Sequence, residues 1–140
     1  MAARTVLTAV QLPNIGGVAQ GAGATPDATN GNIVASPGPF KSLVIVKNAD
    51  SSSHSLIIRA SGYQGVPSGA ANSGYLSGQY QPYATASRGD LTVVVVNGTT
   101  QVVCFDVDTE RFTQADGSLW LDWTASTSMT VYVVQRPYMP

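Results

Sequence analysis

Two runs of mostly β-branched residues on either side of Asn97-Gly98 constrain this chain more than any other feature. The first run is Leu91–Val96 and the second is Thr99–Phe105. Asn-Gly between two such runs is the strongest short-range signal for a type I′ hairpin, because both turn residues accept a positive φ. The pattern therefore predicts an antiparallel hairpin over residues 91–105.

The hairpin predicts which side chains share a face. A two-residue turn sets Val96 opposite Thr99, and alternate side chains then point to opposite faces. The predicted core face carries Leu91, Val93, Val95, Val102 and Cys104. The other face carries Val94, Val96, Val103, Phe105 and Val107. Because both faces are apolar, either a bulge shifts the register near 104–106 or both faces are covered, and we expect a neighbouring subunit to cover the second face.

The composition extends the β prediction to the whole chain. The 140 residues include one Glu and two Lys, whereas Val and Thr abound, so no stretch of strong helix formers exists. The length predicts a single domain, residues 1–140. We expect an all-β fold, either an antiparallel β-sandwich or a jelly-roll-like barrel.

Six further strands are predicted from apolar and β-branched runs. They cover residues 4–10, 32–35, 42–48, 54–60, 118–123 and 129–134. The five-residue polar connection Ala49–Ser53 predicts a hairpin between the strands at 42–48 and 54–60. In the last two strands, the side chains expected to point into the core are Leu119, Leu121, Trp123, Met129, Val131 and Val133.

Two long segments are predicted to be irregular. Residues 1–40 combine the first strand with a Gly/Pro-rich arm, which either lies over its own domain or reaches a neighbouring subunit. Residues 61–87 form an inserted loop of Gly, Ser and Tyr. Its tyrosines are candidate partner-contact residues, because Tyr in a Gly/Ser background offers rigid contact area; alternatively they pin the loop to its own domain. These residues are Tyr63, Tyr75, Tyr80 and Tyr83.

The charge content favours an assembly over a free-standing domain. Charged residues make up 11 % of the chain and the net charge is −1, against about 25 % charged residues in ordinary soluble domains. Interface cores are depleted in charge, so this composition indicates a structural or oligomeric protein. The acidic balance predicts no nucleic-acid partner. No apolar run approaches ~18 residues, so no membrane partner is expected.

The chain shows no convincing catalytic apparatus, and we expect neither an enzyme nor a cofactor or metal site. The only histidine, His54, opens a strand without ligands at metal spacing, and Cys104 sits in an apolar strand as a packed thiol. The alternating carboxylates of 106–110 are interpreted as solvated turn residues rather than a calcium site, because Arg111 follows where an EF-hand loop needs Gly. Arg88-Gly89-Asp90 matches an integrin-type tripeptide but also works as ordinary turn chemistry.

Four segments carry a family resemblance: Arg4–Thr8, Asn30-Gly31-Asn32, Glu110–Trp123 and Val131–Arg136. Together they resemble the small all-β head decoration or minor capsid proteins encoded beside the major capsid protein in tailed phages of actinobacteria. The resemblance covers both ends of the chain and omits the Tyr-rich loop. It implies a β-sandwich or jelly-roll-like domain, often trimeric, that sits on the exterior of the virion capsid and binds the major capsid protein and further copies of itself.

Two other functions stay open. A head–tail connector or tail component has the same composition but ring symmetry at one vertex. A carbohydrate-binding β-sandwich is the alternative from a different class, with Trp120, Trp123 and the loop tyrosines as a stacking platform.

Overall fold

A computed structural model describes residues 3–13, 16–35, 40–61, 89–105 and 112–137. These residues contain nine strands and no helix. The strands are β1 (Thr5–Leu7), β2 (Val10–Gln11), β3 (Asn32–Val34), β4 (Phe40–Asn48), β5 (His54–Ile58), β6 (Leu91–Val95), β7 (Thr100–Phe105), β8 (Leu119–Trp123) and β9 (Met129–Pro137). The predicted all-β class is confirmed. The loop tyrosines and the carboxylates of 106–110 lie outside the described residues.

The strands form two sheets that pack face to face. The five-stranded sheet has the order β1-β3-β8-β5-β6, and the four-stranded sheet has the order β2-β9-β4-β7. Both are mixed, because β1 runs parallel to β3 and β2 runs parallel to β9, while the other pairs are antiparallel. The predicted β-sandwich is therefore confirmed, and the sheets do not close into a barrel.

The core lies between the two sheets. Leu56, Ile58 and Leu121 of the five-stranded sheet face Val44 and Val46 of the four-stranded sheet, and all five are fully buried. Burying one such side chain contributes about 1.5–3 kcal/mol. The inward side chains predicted for β8 and β9 are confirmed, since each of them is buried in this cluster: Leu119, Leu121, Trp123, Met129, Val131 and Val133.

The predicted hairpin at Asn97-Gly98 is wrong, although both of its strands exist. β6 pairs with β5 in one sheet, and β7 pairs with β4 in the other. The Thr99 N–H donates to the Val96 carbonyl at 3.1 Å. Gly98 has a φ of 71°, whereas Asn97 has no positive φ. Positive φ at only the third turn position fits a type II turn, which splays its flanking strands, and here they separate into different sheets.

The predicted hairpin between β4 and β5 is also wrong, because residues 49–53 cross from one sheet to the other. The Asn48 side chain holds this crossing. Its Nδ2 donates to the carbonyls of Val95 at 3.0 Å and Ser52 at 2.9 Å, and its Oδ1 accepts the Asp50 N–H at 2.9 Å. The Asn48 N–H also donates to the Thr99 carbonyl at 2.9 Å. The two crossings therefore lie side by side at one end of the sandwich.

The crossing reverses the predicted faces of β7. Val95 is buried and Val94 is exposed, as expected for β6. In β7, however, Val103 is buried and Val102 is exposed, because the inner face of β7 follows β4, where Val44 stands opposite Val103. The ladder is continuous from Thr100 to Phe105, with no bulge within that span. The side chains of Cys104 and Phe105, and all of Asp106 and Val107, lie outside the described part of the chain.

The N-terminal arm contacts its own domain at Ala24 and around Asp27–Asn32. Ala24 exchanges two backbone hydrogen bonds with Val131 of β9, at 2.9 and 2.8 Å. Further along, Asn32 Oδ1 accepts the Asp27 N–H at 2.9 Å and the Trp123 indole N–H at 2.7 Å. Asn32 is fully buried, so this side chain joins the arm to the core.

Candidate functional site

The most elaborate polar site in the described structure surrounds Asp122, on the outer face of the five-stranded sheet. The Asp122 side chain is only 1 % exposed. Arg4 Nη1 forms an ion pair with its Oδ1, and Arg59 Nε donates to its Oδ2 at 2.5 Å. Because a buried charge is costly unless it is paired and hydrogen-bonded, these two guanidinium groups make the burial of Asp122 possible.

The site extends through Arg59 to a second carboxylate. Arg59 Nη1 donates to Asp90 Oδ2 at 2.8 Å, and Asp90 Oδ1 accepts the Ala60 N–H at 2.6 Å. We call Arg4, Asp122, Arg59 and Asp90 the charge network. It contains two positive and two negative groups, so its formal charge is zero.

Two further residues fix Arg4 in place. The Arg4 guanidinium lies 4.6 Å from the centre of the Trp120 ring, a cation–π distance. Gly31 has a φ of 76°, and a Cβ at this position would collide with Arg4 Nη1 and Asp122 Oδ1. The Asn30-Gly31 signal thus serves a close approach of the backbone to the ion pair.

The charge network is a structural clamp. It connects the residue before β1 with β8, the end of β5 and the start of β6. All buried side-chain nitrogen and oxygen atoms in the described residues have hydrogen-bond partners. No sequence pattern indicates this site, because Arg4 and Asp122 are 118 residues apart and no local spacing links them.

The charge network includes Asp90, so its geometry distinguishes an adhesion motif from a turn at Arg88-Gly89-Asp90. The Asp90 side chain is 5 % exposed and bonded to Arg59, and Gly89 is buried. An adhesion receptor would need this carboxylate free, so the geometry favours the turn interpretation. Arg88 lies outside the described residues.

His54 occupies the strand-end position expected from the sequence. It begins β5, and its Nε2 lies 2.7 Å from Asp50 Oδ2. This hydrogen bond, followed by one from the Ser51 N–H, lowers the pKa of Asp50 below its ordinary value. Among the residues that the structure describes, no three His, Cys, Asp or Glu side chains are grouped to hold a metal ion.

The two tryptophans lie on opposite faces of β8. Trp123 is buried in the core, and its indole N–H donates to Asn32. Trp120 is half-buried beneath Arg4, and its indole N–H donates to Ser118 Oγ at 2.9 Å. They do not form one stacking platform, which weakens the carbohydrate-binding alternative.

Two clefts flank the N-terminal strands. They measure about 370 and 350 Å³ and share Val6, Leu7 and Thr8 in their walls. The remaining lining residues are uncharged, so neither cleft contains a carboxylate, a histidine or a basic side chain. Within the described residues, no helix is long and apolar enough to span a membrane.

Three exposed apolar side chains lie on β6, on β7 and in the connection between these strands. Val94 is 53 % exposed, Val96 44 % and Val102 59 %. We call these three residues the valine corner. Val6 and Val18, elsewhere on the surface, are 63 % and 46 % exposed. No charged residue occurs between Leu91 and Phe105, so the valine corner offers apolar contact area.

Comparison with known protein families, curated proteins and solved structures finds no match to this chain. The resemblance to phage decoration proteins therefore stays a prediction.

Proposed function

We propose that this protein is a phage capsid decoration protein. It binds the outside of the shell formed by the major capsid protein and stabilises the expanded head. In this role it performs no reaction and needs no cofactor. Its partners are the major capsid protein and further copies of itself.

The observation that carries this proposal is the valine corner. It presents three exposed valines on a stretch that contains no charge. Partner-binding surfaces are depleted in charge at their centres, and exposed valines on an uncharged stretch supply apolar contact area for a partner. The charge network leaves fewer charges for the surface, because Arg4, Arg59, Asp90 and Asp122 pair with one another inside the fold. A surface with few charges is suited to contact with a partner.

The mechanism is mechanical rather than chemical. A shell expands during genome packaging and must then resist the pressure of the packed DNA. A small domain that contacts two neighbouring capsid subunits adds one modest interface at each symmetry-related position. Because a shell repeats this interface many times, individually weak contacts together stabilise the expanded form.

The first test is the number of copies of this protein in each purified virion, measured by quantitative mass spectrometry against the major capsid protein. A decoration role predicts about one copy per capsid subunit, or one trimer per local three-fold position. About a dozen copies or fewer would assign the protein to the portal vertex or the tail instead. Absence from the particles would overturn the structural function altogether.

A binding experiment tests the mechanism directly. Purified protein is added to shells that lack it, before and after expansion, and the bound protein is measured after co-sedimentation. We expect saturable binding to expanded shells and a higher pressure or temperature of shell rupture. Saturation without any gain in shell stability would contradict the stabilising role.

A further inference from the structure

The two lateral sides of the sandwich differ in how their edge strands are protected. The two-residue connection 8–9 places β1 and β2 on one side, and the short turn after β6 places β6 and β7 on the other. Each of these four strands has a single neighbour among the described strands. A free strand edge exposes backbone donors and acceptors that pair with another strand unless the protein blocks them.

The β1–β2 side carries the usual protection. Its strands have only three and two residues. Pro13 follows β2 closely. Short strands and proline both discourage edge-to-edge association.

Neither feature occurs in the described strands of the β6–β7 side. β6 and β7 have five and six residues. The sequence from 91 to 105 contains no charged residue and no proline. The ladder of each strand with its inner neighbour is regular over its whole length. Such an edge is competent to pair in solution.

We propose that β6 pairs antiparallel with β6 of a second copy of this chain about a two-fold axis. The pairing joins two five-stranded sheets into one continuous sheet of ten strands. Centred on Val93, it sets Thr92 of one copy opposite Val94 of the other. β-branched residues opposite each other stabilise a strand pair.

The second copy is the occupant that the composition favours. Pairing a strand with itself brings identical side chains together near the axis, so any charge in the strand opposes a like charge. β6 is free of that penalty, because it contains no charge. The inference does not depend on the proposed function, and it predicts a two-fold dimer where the family resemblance implies a trimer.

Sedimentation equilibrium of the full chain tests this proposal. The test variant is Thr92→Lys/Val94→Lys, which places lysines at two exposed positions of β6. The matched control is Val6→Lys/Val18→Lys, which adds the same two charges at exposed positions away from β6. We expect a dimer for the native chain, at least tenfold weaker dimerisation for the test variant, and unchanged dimerisation for the control.

Hydrogen exchange supplies the readout that a folding defect would not reproduce. Amides of 91–95 in the native chain should gain protection as concentration rises through the dimerisation range, while amides of 5–7 should not. Circular dichroism of the test variant should match that of the native chain. A native monomer at about 100 μM, equal weakening by both double variants, or a closed trimer would each overturn the pairing.

Discussion

Replacing Asp122 by Asn removes the central charge of the charge network with almost no change of shape. The Asp122 side chain is 1 % exposed, and those of Arg4 and Arg59 are 8 % and 12 % exposed. Asn cannot accept from both guanidinium groups, so Arg4 keeps a buried charge without its carboxylate. Arg59 keeps its pair with Asp90. Removing one partner from a buried ion pair costs about 3–5 kcal/mol.

The assay is equilibrium unfolding in urea, with a thermal melt alongside. For a domain of this size, about 3–4 °C are lost per kcal/mol, so Asp122→Asn should lower the melting temperature by about 10–20 °C. Asp50→Asn is the matched control, because it makes the same chemical change at the partly exposed pair with His54. Exposed pairs contribute little, so the control should melt close to the native chain.

A double-mutant cycle makes the prediction refutable. Arg4→Met, Asp122→Asn and the combined variant separate the pairwise interaction from the cost of each single change. The clamp requires a coupling well above about 1 kcal/mol between these two positions. A loss below about 1 kcal/mol for Asp122→Asn, or effects that simply add, would refute the argument that the ion pair holds β1 on the sheet.

Three further outcomes follow from individual residues. In urea titrations, Gly31→Ala should lower the free energy of unfolding several times more than Gly98→Ala. Both glycines have a positive φ, but only at Gly31 would the added Cβ meet neighbouring atoms. Equal losses would contradict the close packing at Gly31. Val103→Asp should unfold the protein while Val102→Asp leaves its melting temperature nearly unchanged, and the reverse result would restore the hairpin face assignment. The Ser118 hydroxyl and then the Ser118 N–H lower the pKa of Asp116 below its ordinary value. The stability that Asp116 contributes is therefore present above its unfolded-state pKa and is lost as pH falls through its folded-state pKa. Between about pH 5 and 2, the melting temperature should fall less steeply for Asp116→Asn than for the native chain.

The position of the strands follows from local chemistry and could be predicted from the sequence. Runs such as Leu91–Val95 favour extended backbone wherever they occur, so most strand interiors were recovered. The strand predicted over residues 4–10 is wrong as a single element, because it divides into β1 and β2, which belong to different sheets. The choice of partner strand could not be predicted this way. Asn97-Gly98 fits a type I′ turn and also a type II turn with Gly98 third, and the two turns send β7 to different sheets. What selects the second is non-local: Asn48 binds the Val95 carbonyl across the sandwich.

Of the two candidate sites, one could be predicted from the sequence and the other could not. The valine corner was visible as an apolar second face, although Val102 rather than Val103 turned out to be the exposed member in β7. The charge network was invisible, because alternation along β8 assigns Asp122 to an outward face without indicating that Arg4 and Arg59 bury it. Long-range ion pairs leave no spacing signal, so a sequence reading underestimates how many polar residues serve the fold.

The low charge content and the open edge have a common physical cause. A chain with few charged residues has few with which to protect its strand edges, and here four of them form the charge network and are mostly buried. The described stretch 91–105, which forms β6 and β7, therefore contains neither charge nor proline to prevent pairing. An edge without these features favours association with another strand. A protein built this way should precipitate more readily when the edge is left uncovered. Of the variants above, Thr92→Lys/Val94→Lys should therefore be the more soluble monomer, because it supplies the missing charges at that edge.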